Sequence, residues 1–133
     1  MMGTDYPNRS GLSERDFFAP VQEWLRSSDL RMGNFEGTLY DGEQNPDGKV
    51  SGANRHLFRT PTLMANHLMR AGFNFLSLAN NHAKDFGRVG LESTKQALRA
   101  QGISFSSKDG EVATFNIKGT SVAILSGGTT VRC

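Results

Sequence analysis

Apolar and polar positions alternate along this chain in two rhythms, one of helices and one of strands. Phe17, Val21, Trp24 and Leu25 fall on one helical face. Ser13 and Asp16 form a capping pair ahead of them, so an amphipathic helix ending near Ser27-Ser28 is predicted. Residues 30–35 read as a short extended segment. Pro61 stands where a helix can begin, with Leu63, Met64, Leu68 and Ala71 on one stripe and Gly72 at its end. Residues 73–79 form a mostly apolar run, with the length of a strand buried on both faces. A further helix is predicted over 89–100, closed by Gly102, and a short strand over 103–105. Val112–Ile117 and residues 121–125 flank Lys118-Gly119-Thr120, the pattern of a hairpin. Residues 40–58 are polar and carry Gly42, Pro46, Gly48 and Gly52. A loop of that length inside a compact domain is usually functional or disordered.

Helices alternating with strands predict an α/β domain, with mainly parallel strands joined by crossover helices and a C-terminal hairpin. In such sheets ligands bind beyond the carboxyl ends of the strands. Two of those ends carry chemistry: Gly33-Asn34-Phe35-Glu36-Gly37, and Asn80-Asn81-His82 followed by Asp85-Phe86-Gly87. The pattern puts both on one rim.

Size and composition narrow the classes. The 133 residues correspond to about one domain, and the apolar 37% supports an ordinary core. No apolar run approaches the ~20 residues of a membrane-spanning helix. Met1 to Asp5 have neither the basic segment nor the apolar core of a signal peptide. The single cysteine, Cys133, has no partner within the chain. Lys and Arg total 15 against 13 Asp and Glu, scattered without a like-charge block, and nothing in that pattern recommends nucleic-acid binding.

The motifs resemble the CapA family of capsule and poly-γ-glutamate biosynthesis proteins, whose fold is similar to calcineurin-like metallophosphatases. The stretches carrying the likeness are Asp29-Leu30, Asn34-Phe35-Glu36-Gly37, Phe58-Arg59-Thr60-Pro61, Ala71-Gly72-Phe73, Ser77 to His82, Asp85-Phe86-Gly87 and Thr94. Met2 to Pro7 resemble the stretch just after the family's first active-site motif. Two departures accompany the likeness. The family's first strand ends in a Gly-Asp ahead of where this chain begins, and a later His motif lies beyond Cys133. The resemblance thus implies a single partial domain over 1–133, lacking metal ligands from both ends. It also implies an exported or membrane-anchored protein, with any signal or anchor upstream of Met1.

On that resemblance, two divalent cations of the Mn²⁺, Mg²⁺ or Fe type serve phosphoester hydrolysis. Asn34, Glu36 and Asn81 are the implied metal ligands. Asn34 stands where the metallophosphatases carry a bridging aspartate, and the amide removes a negative charge. His82 lies beside the metals as an acid or donor to the phosphoryl group, with Asp85 fixing its tautomer. Asn80 and Arg59 are candidates for contacting an anionic substrate or polymer. Two rivals stand beside the hydrolase: a non-catalytic component of polymer assembly, and an inactive truncated product.

Each residue also has a plainer reading. Asparagines after a strand are often turn residues, Asp85 can cap the following helix, and Asn34 and Glu36 can belong to a solvent-facing loop. His67 beside the Pro61 stripe is expected at the core edge. His56, Lys49, Arg55 and Arg59 are expected on a solvated loop that can also attract anions. Trp24 and the phenylalanines fall mainly at core spacings. Residues 41–48 do not make a calcium loop, because Pro46 takes the position that requires glycine and Gly52 that of the bidentate glutamate.

Overall fold

A computed structural model describes residues 18–45, 47–50 and 56–128. The expected cap at Ser13 and Asp16, and the motif at Met2 to Pro7, lie outside them. The first helix is a 3-10 turn, Ala19–Val21, running into α1, Gln22–Arg26. Then come β1 (Met32–Asn34), β2 (Thr38–Leu39), β3 (Arg59–Thr60), α2 (Met64–Ala71), β4 (Phe75–Ser77), α3 (Gly87–Ala100), β5 (Ser104–Ser106), β6 (Val112–Ile117) and β7 (Thr120–Leu125).

The fold is mixed α/β. A three-stranded parallel sheet has the order β1-β4-β5, with α2 preceding β4 and α3 lying between β4 and β5 in the chain. Its register aligns Asn34, Ser77 and Ser106 in one row at the carboxyl ends. The core lies where α2 and α3 meet this sheet. Met64, Leu68, Leu76, Leu91, Leu98 and Ile103 are all buried there. Burying each such side chain stabilises the fold by roughly 1.5–3 kcal/mol.

The hairpin β6–β7 turns through Lys118 and Gly119, with φ of 51° and 84°. Positive φ at both central residues matches the right-handed twist of the flanking strands. Ala113 is buried and Phe115 meets Phe75 edge-on at 6.3 Å, which seats the hairpin on the sheet.

Several expectations are corrected. Trp24 is 79% exposed and Val21 46%, so the predicted apolar face of the first helix is not buried among the described residues. The Pro61 helix starts only at Met64. Leu63 becomes its N-cap and is 48% exposed, leaving Met64, Ala65, Leu68 and Ala71 as the buried stripe. The parallel pair β2–β3 was not predicted, because two-residue strands are too short to show a period. His67 is half-buried, as expected at a core edge.

Candidate active site

The site is built on the two loops that leave β1 and β4. These strands are parallel and paired with Asn34 opposite Ser77, so both loops emerge on one rim. Asn80 ties them together. Its Nδ2 donates to Asn34 Oδ1 at 3.1 Å and to the Phe35 carbonyl at 2.8 Å. Its Oδ1 accepts from the His82 main-chain N–H at 3.0 Å. The turn role common to such asparagines is therefore present, and a cross-loop clasp comes with it. Thr38 Oγ1 holds the same loop by donating to the His82 carbonyl at 3.2 Å.

Asp85 is wholly buried and three donors converge on it. Oδ2 takes His82 Nδ1 and the Phe58 N–H, each at 2.8 Å, and Oδ1 takes Lys49 Nζ at 2.6 Å. A buried carboxylate is tolerated only when paired and hydrogen-bonded, and this one is both. An ionised carboxylate only accepts, so Nδ1 of His82 carries the hydrogen. In the neutral ring Nε2 is then the free base. The ring stacks obliquely on Phe58, 4.2 Å between centroids, with 17% of the side chain exposed.

The helix-cap reading of Asp85 is overturned. The N-cap of α3 is Phe86, with no side-chain cap bond, and the Arg88 N–H instead meets Asp47 Oδ2 at 3.2 Å. Gly87 makes room for that carboxylate: a Cβ there would lie 2.2 Å from Asp47 Oδ1. Asp47 thus lies against the start of α3, and Lys49 against the His82 loop. Lys49 is not a solvated loop charge as expected but is bonded to Asp85. Arg59 Nη1 donates to the Gly42 carbonyl at 2.6 Å, and its guanidinium sits 5.3 Å from the Phe86 ring centre. Both contacts make Arg59 an anchor of the loop. His56 is exposed.

Asn34, Glu36 and Asn81 are exposed on the rim. Among the described residues no group of three His, Cys, Asp or Glu side chains could hold a metal ion. Asn34 Oδ1 already accepts from Asn80, and Glu36 is the only anionic donor of the expected set. These residues do not by themselves fit a complete dication site, which needs more negative oxygen.

Behind the rim, a charged cluster fastens the β5–β6 connection. Lys95, with its side chain 4% exposed, meets Glu111 at 2.5 Å and Glu92 at 2.9 Å, and Lys84 of the His82 loop meets Asp109 at 2.8 Å. Burial alone would lower the Lys95 pKa, but the hydrogen bonds and charges of Glu111 and Glu92 raise it above 10.5. Burial likewise works to raise Glu111, yet its bonds from Lys95 and Ser107 hold it below 4.5.

Sequence reasoning put Lys49 on a solvated loop and did not single out Asp47, because the partners of loop residues carry no period. Phe58, which contributes both a main-chain donor and a ring, was visible only as part of the Phe58-Arg59-Thr60-Pro61 likeness. Among the described residues no helix is long and apolar enough to cross a membrane.

Comparison with known proteins places these loops in a family. The chain is 32% identical over 104 residues to "Capsule biosynthesis protein CapA" of Bacillus anthracis, covering 77% of this chain and 22% of that protein. It is also 32% identical over 89 residues to "Uncharacterized protein y4sH" and "Uncharacterized protein y4uA" of Sinorhizobium fredii, covering 65% of this chain and 19% of each. The chain spans about a fifth of the length of these curated relatives. The family described as "Bacterial capsule synthesis protein PGA_cap" matches residues 2–132, nearly the whole sequence with both site loops inside it, and the chain belongs to that family.

Proposed function

We propose that this chain carries part of a hydrolytic site acting on a phosphoester or related anionic substrate during capsule or poly-γ-glutamate synthesis. The observation that carries this reading is the 2.8 Å bond from His82 Nδ1 to the fully buried Asp85. A carboxylate fixed in this way holds the ring in one tautomer and orientation, with Nε2 available to take or give a proton. Glu36 and Asn81, with Asn34, would hold divalent cations of the Mn²⁺, Mg²⁺ or Fe type, together with ligands from outside the described residues. Such cations, when bound, would supply Lewis acidity and an activated water. Once protonated at Nε2, His82 would give that proton to the leaving-group oxygen and return to the neutral ring, with Asp85 stabilising the imidazolium beforehand. Asn80 keeps the two loops in register, and Arg59 holds the loop over them.

The test is hydrolysis of an aryl phosphate by the intact protein with added Mn²⁺. His82→Ala should lower turnover by roughly 10²–10⁴-fold, and Asp85→Asn by about 10–100-fold. Full activity in His82→Ala sinks the reading. One observation favours a second reading, a non-catalytic role in binding polymer or an assembly partner. Asn34 presents an amide, already bonded to Asn80, where the resemblance puts a metal-bridging carboxylate. Absence of hydrolysis by the intact, metal-supplied protein, alongside retained polymer binding, would select it.

A further inference from the structure

We propose that Lys49 is a positioning residue of this site, locking residues 47–50 onto the His82 loop so that their docking sets Asn81 and His82. The proposal rests on the hydrolytic reading for its effect on turnover, but not for its geometry. Lys49 Nζ donates to Asp85 Oδ1 at 2.6 Å and to the Asn81 main-chain carbonyl. One ammonium therefore fixes the peptide carrying a proposed metal ligand and the carboxylate that orients the imidazole. Its main-chain N–H donates to the Asp85 carbonyl at 3.0 Å, so the lysine is held at both ends by one residue.

Charge explains why a lysine suits this position. Asp85 is fully buried, and with a neutral His82 the ammonium of Lys49 is the positive charge bonded to it. Removing one partner of a buried pair leaves an uncompensated charge, which the structure relieves by rearranging. Here relief would draw Asp85 away from His82 Nδ1, which frees the ring. The segment is prepared for this task by its own bonds. Asn45 Nδ2 donates to the Lys49 carbonyl at 3.0 Å, Tyr40 Oη donates to the Gln44 carbonyl at 2.9 Å, and Asp47 receives the first turn of α3. Phe58, where the loop returns, donates its N–H to the other oxygen of Asp85. Lys49 and Phe58, nine positions apart in the chain, thus meet on a single carboxylate.

The experiment compares Lys49→Met and Lys49→Arg in the intact protein. Amide hydrogen exchange is followed over residues 41–50 and 78–86, and the His82 ring is observed by ¹⁵N labelling of histidine. Exchange in both segments should rise at least about tenfold in Lys49→Met. The slowly exchanging Nδ1–H signal of His82 should disappear, and Lys49→Arg should restore most of both. Aryl phosphate turnover should fall about 10–100-fold with KM changed little, the pattern of a residue acting through another. Unchanged exchange over 78–86 with an intact Nδ1–H signal in Lys49→Met overturns the proposal. A protein that hydrolyses nothing, yet loses the ring signal in Lys49→Met, sinks the hydrolytic reading and leaves the role of Lys49 standing. If Lys49→Met does not fold, Asn45→Ala decides. It removes the bond to the Lys49 carbonyl and a longer one, 3.4 Å, to the Asp85 carbonyl, and should give the same changes at smaller amplitude; no change in either readout overturns the proposal.

Discussion

Asn80 and Asn34 join the two site loops through one amide-to-amide hydrogen bond of 3.1 Å, reaching from the end of one parallel strand to the end of its neighbour. The same Asn80 amide nitrogen also serves the Phe35 carbonyl, and its oxygen serves the His82 N–H. One side chain therefore sets the spacing between the Asn34 loop and the His82 loop.

Asn80→Ala removes all three bonds. With the net worth of each near ~1 kcal/mol and partial replacement by water at a half-exposed site, the expected loss is about 1–3 kcal/mol. Chemical denaturation of the intact protein measures it. Asn80→Asp should not rescue the variant, because a carboxylate cannot donate to Asn34 or Phe35. A stability equal to the parent in Asn80→Ala would show that the clasp is idle.

Gly87 has φ of +62°, and a Cβ there would meet Asp47 Oδ1 at 2.2 Å. Gly87→Ala should therefore cost about 1–3 kcal/mol, from the left-handed backbone together with displacement of Asp47. Adding Asp47→Ala should recover part of the loss, since only the carboxylate clash is relieved. Thermal unfolding of the single and double variants tests this non-additivity.

Thr94 is buried on α3, where its Oγ1 accepts the Leu39 N–H at 2.9 Å and donates to the Gly90 carbonyl at 2.9 Å. Thr94→Val keeps the shape and strands the Leu39 donor, at a cost of about 1–3 kcal/mol. Thr94→Ser keeps the hydroxyl and should lose less. Equal losses in the two variants would assign the effect to packing alone.

The Lys95–Glu111 pair makes stability depend on pH at two edges. Glu111 is held below its ordinary 4.5, so its contribution is present above that value and is lost as pH falls through the lowered folded value. Lys95 is raised above 10.5, so its contribution is present below that value and is lost as pH rises through the raised folded value. Between the two edges the pair contributes in full. Glu111→Gln should flatten the acid edge and destabilise the protein near neutrality by about 1–3 kcal/mol, less than for an isolated buried pair because Glu92 still holds Lys95. Denaturation midpoints from acid to neutral pH measure both effects.

The hydrophobic rhythm by itself determined the alternation of helices and strands, the hairpin around Lys118-Gly119, and the placing of the Asn34 and His82 loops on one rim. Those features come from local periods and from the rule that parallel strands present their ends together. The pairing of His82 with Asp85 was also legible, since residues three apart in a tight turn are neighbours. Tertiary structure alone decided that Trp24 stands exposed, that Leu63 caps rather than packs, and that Arg59 anchors a loop. It also brought Lys49, 36 positions away in the chain, onto Asp85. Such contacts carry no period. They arise because a wholly buried carboxylate must find donors wherever the fold can supply them, and which loop supplies them depends on how the sheet and helices pack.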